Sequence, residues 1–101
     1  MSPLQKRFRN VIEISGEPVT IGGSDSHALM SPISYSQAAV YMSLSELDSA
    51  TSRPLFGAYT SYDSPGAADD TFEWSGSPLT VRKVMDLRAK GQTVAKLMVL
   101  G

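Results

Sequence analysis

Residues 69–101 read DDTFEWSGSPLTVRKVMDLRAKGQTVAKLMVLG and carry the decisive pattern of the chain. Phe72 and Trp74 alternate with Thr71 and Glu73, the period-2 signature of a half-buried strand. Ser75-Gly76 interrupts it, and Ser77-Pro78 enforces extended backbone because the ring of a proline disfavours helix in the preceding residue. Leu79, Thr80 and Val81 resume a strand that runs on to Leu87. The alternation slips phase between Val81 and Val84, which predicts a bulge near Arg82-Lys83. Ala89-Lys90-Gly91-Gln92 predicts a hairpin turn, and Thr93 to Leu100 predicts the returning strand. Both parities of that last strand are largely apolar. It is therefore expected to be covered on both faces, by a barrel interior on one side and by a helix or a neighbouring subunit on the other.

Working outward, 101 residues make one domain with a modest core. The formal net charge of −1 gives no whole-molecule attraction for nucleic acid. There is no cysteine, so neither a disulfide framework nor a thiolate metal site is available. No stretch approaches the ~20 apolar residues of a membrane-spanning helix, and no signal peptide is read at the start. Charge is unevenly placed. Lys6, Arg7 and Arg9 stand at the start without an acid, and acids dominate residues 43–70. Arg82, Lys83, Arg88, Lys90 and Lys96 face only Asp86 towards the end. Ordinary surface mixing accounts for this; docking of copies onto one another is the alternative.

Ser2-Pro3 has the chemistry of a helix start, with a capping hydroxyl and proline at the first helical position. Leu4, Phe8, Val11 and Ile12 fall at helical spacing, which predicts a helix from Pro3 to about Ile12 inside an N-terminal helical segment, 1–15, with Gly16 just past its end. A strand over Val11 to Ile14 competes. The first barrel strand is expected at 18–22, followed by a loop from Ser24 to Ser31. Asp25 and His27 in that loop invite a relay or metal reading. Groups so close in sequence do not converge as a relay requires, and the single His has no partner at ligand spacing, so a solvated loop is the better reading. A further strand is expected at 37–43. Residues 43–68 are rich in Ser, Thr, Asp, Pro, Gly and Ala, and read as an extended arm whose apolar cluster Leu55, Phe56 and Tyr59 could form a short strand or order against another subunit.

The predicted class is mainly β: a small β-barrel with a short N-terminal helix and a long inserted loop. With Gly16-Glu17-Pro18-Val19-Thr20-Ile21 near its start, and Phe72-Glu73-Trp74-Ser75-Gly76, Leu79-Thr80-Val81 and the hairpin through Gly91 at its end, the chain resembles the head-closure (stopper) and head–tail joining proteins of long-tailed bacteriophages. The resemblance covers about half the chain. It implies a structural virion protein, synthesised in the host cytoplasm. A homohexameric ring would sit below the portal and its adaptor, retain packaged double-stranded DNA and dock tail proteins, with no cofactor and no membrane. It further implies Asp63, Asp69 and Asp70 facing a DNA channel, where carboxylates repel phosphates; Leu55, Phe56 and Tyr59 at subunit interfaces, with exposed β-edges adding strands; and Arg7 and Arg9 contacting the adjacent ring. Tail-terminator and tail-tube barrels share this grammar. A nucleic-acid-binding barrel of the OB or SH3-like kind is the rival; the acids beside Phe72 and Trp74 argue against it. An enzyme lacks the convergent titratable groups it needs.

Overall fold

A computed structural model describes residues 2–33 and 55–101. Helix α1 (Pro3–Ser15) is followed by β1 (Glu17–Ile21), β2 (Ser24–Ile33), β3 (Leu55–Ser61), β4 (Thr71–Trp74), β5 (Ser77–Ala89) and β6 (Gln92–Leu100). The strands close into an antiparallel barrel in the order β1-β2-β3-β6-β5-β4. The fold class expected from the sequence is therefore correct.

Two-residue turns make three of the hairpins. Gly22-Gly23, Ser75-Gly76 and Lys90-Gly91 all hold positive φ at both positions, the geometry whose twist matches that of flanking strands. The predicted bulge is present as a register shift between Val81 and Lys83. It lies where β5 leaves β4, its partner over Ser77–Thr80, for β6, its partner from Val81 onward. An extra residue there supplies the bend that a strand shared by two sheets needs. The opposite corner is β2, which pairs with β1 up to Ala28 and with β3 from Leu29. Closure itself is slender: β1 and β4 meet through three residue pairs, Val19↔Trp74, Thr20↔Glu73 and Ile21↔Phe72.

Alternate residues of the strands fill the interior. Val19, Ile21, Ala28, Ala58, Phe72, Val81, Met98 and Leu100 form the buried cluster. Phe72 is the largest fully buried side chain. Phe56 and Trp74 close one end, edge to face with ring centroids 5.3 Å apart. Loop 62–70 plugs the other. Asp69 N–H donates to Val81 O (2.7 Å) and Val81 N–H to Asp70 O (2.9 Å). Gly66, at φ +127°, lies so close to Ile21 and Met98 that no Cβ fits.

The outer face of β6 is also apolar, as its sequence implied. Ala95 lies under α1, and Val99 packs with Leu55 beside Ile33 and Met85. Helix α1 crosses the outside of β2, β3 and β6. It starts on a full capping box: Ser2 Oγ accepts from Gln5 N–H, and Gln5 Oε1 accepts from Ser2 N–H. The helix runs one turn beyond the expected end, to Ser15, and Gly16 turns directly into β1 in extended rather than left-handed backbone.

One expectation is corrected: Ser24–Ser31 is not a loop but most of β2, recruited by its ladder to β1. Within 43–68 the cluster of Leu55, Phe56 and Tyr59 forms the short strand that was one of its two readings: it is β3, an inner strand held between β2 and β6 rather than part of an extended arm. Every strand has a partner on either side, so whole exposed β-edges are absent among the described residues. The strand offset leaves β5 beyond Val81 paired there with β6 alone, and that stretch carries Arg82, Lys83, Asp86 and Arg88, charges of the kind that discourage strand addition. The strand expected at 37–43 and the first part of the arm lie outside the described residues.

Candidate functional site

The surface around α1 is the candidate site. Among the described residues the helix is seated by buried Ile12, by Gln5 Nε2 donating to Thr93 O (2.9 Å) and by Arg9 Nη2 meeting Asp63 Oδ2 (3.0 Å). Glu13, one turn on, also approaches Arg9 (3.5 Å). The seat is not tight. An apolar cavity of about 170 Å³ remains between helix and barrel, lined by Phe8, Val11, Ile12, Leu29, Tyr59, Leu87 and Ala95. At its rim Phe8 and Tyr59 are each 39% exposed, Val11 47%, and Ile14 83%. Large apolar groups left in water beside one another mark a contact surface more strongly than isolated ones do.

The residues singled out from sequence fall unevenly on this surface. Tyr59 belongs to it and lines the same cavity as α1. Leu55 does not: it is 3% exposed, packed with Val99 of its own chain, so it cannot be presented to a neighbour. Phe56 is half-buried, packed against the barrel core and Trp74, and is likewise committed to its own subunit. The reason is the same for both. They stand on successive positions at the start of an inner strand, where Val99 and its neighbours cover one face and the barrel core the other, whereas Tyr59 further along is left exposed.

Arg7 points away from the barrel, lining a surface groove with Lys6, Asn10, Val11 and Ile14 and a second with Lys90. Arg9 instead bridges to Asp63, so one expected adjacent-ring residue and one expected channel residue neutralise each other within the subunit. Asp70 serves the loop plug, its Oδ2 accepting from Ala67 N–H (2.8 Å). Asp69 is exposed, in left-handed backbone at φ 74°. The capping role of Gln5 and its reach to Thr93 were not anticipated. The spacing Ser2-x-x-Gln5 is a readable signal for the cap, but none exists for the Thr93 contact, since the two residues lie 88 apart.

Charge is sorted by element. Every described Lys and Arg lies in α1 or in the β5–β6 hairpin: Lys6, Arg7, Arg9, Arg82, Lys83, Arg88, Lys90 and Lys96. Only Glu13 and Asp86 join them there. The remaining described acids, Glu17, Asp25, Asp63, Asp69, Asp70 and Glu73, lie on β1, β2, β4 and loop 62–70, without a single Lys or Arg. Asp25 and His27 stand on β2 rather than in a loop, and among the described residues no three His, Cys, Asp or Glu side chains gather as a metal ion requires. No helix among those residues is long and apolar enough to cross a membrane.

Against known proteins, no family model matches the chain, and neither a curated protein nor a solved structure matches it.

Proposed function

We propose that the chain is a structural subunit of a bacteriophage neck: a head-closure or head–tail joining protein that builds a ring from copies of itself. In this reading the ring, six-fold by analogy with the resembled family, sits below the portal or its adaptor. It retains packaged double-stranded DNA and docks the tail. The chain contributes surfaces rather than chemistry and takes no cofactor.

The exposed apolar ridge of α1 with Tyr59 beneath it carries the reading, because a chain of this size that leaves Ile14 83% exposed beside Val11 and Phe8 gains by covering them. Side-chain surfaces, not added strands, then make the contacts, since closure of the barrel leaves little free ladder. Of the acids assigned to the channel, Asp69 suits a DNA-facing position best, being exposed and outside the Arg9–Asp63 pair.

Electron microscopy of the purified chain, alone and mixed with portal and tail proteins, tests this. Rings, alone or on the portal complex, are the expected result. A single chain at every concentration that binds neither portal nor tail would end the neck reading.

A second reading is favoured by one observation, the gathering of every described Lys and Arg into α1 and the β5–β6 hairpin. On a small barrel this could track a nucleic-acid backbone. Salt-dependent retention on single-stranded DNA would favour it, whereas a tail-terminator or tail-tube role would give rings without affinity for the portal.

A further inference from the structure

We infer that copies of this chain associate head to tail, the α1 ridge of one copy seating on the β1–β4 face of the next. The inference rests on the self-assembly reading above and assigns the two faces that make the contact.

The faces are different surfaces built from different elements. In the ring order of strands, β1 and β4 lie across the barrel from β3 and β6, on which α1 packs together with β2. The helix presents Arg7, Val11 and Ile14 outward, with Lys6 beside them. Across the barrel a shallow groove of about 380 Å³ runs between Pro18, Thr20, Asp25, Glu73, Ser75 and Gly76. It is walled by two carboxylates and bordered by strands that hold no Lys or Arg. A cationic, apolar ridge and an acidic groove of matching sign satisfy each other. Opposite potentials steer encounter and fix register, and like-charge pairings of the same faces are penalised.

Geometry sets the symmetry. A surface that docks on its own copy closes a two-fold dimer, whereas two different surfaces propagate, into a ring if the rotation closes and a filament if it does not. A two-fold contact of α1 on α1 would leave the Asp25–Glu73 groove unused.

Sedimentation velocity and native mass spectrometry of the full chain test this with paired reversals. One variant carries Lys6→Glu and Arg7→Glu, the other Asp25→Lys and Glu73→Lys. Each alone is expected to associate at least about tenfold more weakly than the parent. An equimolar mixture is expected to regain association in alternating order, because each reversed ridge then meets a reversed groove. That recovery also shows both variants folded. If thermal melting shows either variant unfolded, Lys6→Gln with Arg7→Gln and Asp25→Asn with Glu73→Gln replace them; each alone is expected to associate more weakly, and their mixture to recover pairs, through the one intact ridge on the one intact groove, but not longer assemblies. An Asp25→Lys/Glu73→Lys chain that assembles like the parent overturns the face assignment and leaves self-assembly standing. A parent chain that stays single, alone and on portal complexes, overturns both.

Discussion

At the residue scale the barrel is decided by a few side chains with no room to change. Phe72 is wholly enclosed among Ile21, Val81, Met98 and Leu100. Phe72→Ala leaves a cavity that its neighbours cannot fill, and is expected to cost about 3–5 kcal/mol in urea unfolding. Gly66 plugs the end of the barrel at φ +127°, with Ile21 Cγ2 and Met98 Cε each 2.9 Å from where a Cβ would stand. Gly66→Ala combines strained backbone with overlap, and is expected to lower stability by roughly 2–4 kcal/mol in the same measurement. Gly57→Ala is the milder control. Its Cβ would meet Ile33 Cδ1, the far end of a side chain that can turn aside. The outermost of these residues behave differently: Ile14→Ser is expected to leave unfolding within about 0.5 kcal/mol while weakening self-association, because a side chain 83% exposed contributes little to its own fold.

At the element scale, among the described residues α1 is held to the barrel through buried Ile12, a hydrogen bond from Gln5 to Thr93 and an ion pair from Arg9 to Asp63. Its start depends on the reciprocal bonds between Ser2 and Gln5. Ser2→Ala is expected to cost about 1 kcal/mol and to raise amide hydrogen exchange across the first turn. Gln5→Ala should do more, since it frees Thr93 O as well as the cap. Elements also mark how far the sequence could be read. Strands β4, β5 and β6, the bulge after Val81 and the Lys90-Gly91 turn were legible because turn chemistry and alternation agree there. Strand β2 was not, because Ser24-Asp25-Ser26-His27 holds few β-formers and owes its conformation to the ladder with β1. Strand β3 was half legible: Leu55, Phe56 and Tyr59 could be read as a short strand or as a cluster ordering against another subunit, and Leu55 and Phe56 find their partners in the same chain. The site was half legible. Tyr59 and Arg7 could be singled out from composition and placement, but the Arg9–Asp63 pair joins residues 54 apart, and no spacing rule reaches that far.

At the scale of the whole molecule, a net charge of −1 conceals an uneven placement, with every described Lys and Arg on α1 or the β5–β6 hairpin and most described acids elsewhere. Such a particle has little long-range repulsion from its copies and strong orientation-dependent attraction. Light scattering is expected to show net attraction that fades as salt is raised from about 0.05 to 0.5 M, as the screening length falls well below the size of the faces. Attraction that grows with salt would instead point to the apolar ridge acting without electrostatic help. The joint between β1 and β4 has a consequence for motion. With only three residue pairs it is the shortest ladder in the barrel, while its flanking hairpins are each tied by a tight turn. The cylinder should therefore breathe like a cuff unfastening along one line, with the amides of Thr20, Gly22 and Glu73, which bond across that line, exchanging with solvent through partial openings while those of Met98 and Leu100 wait for global unfolding.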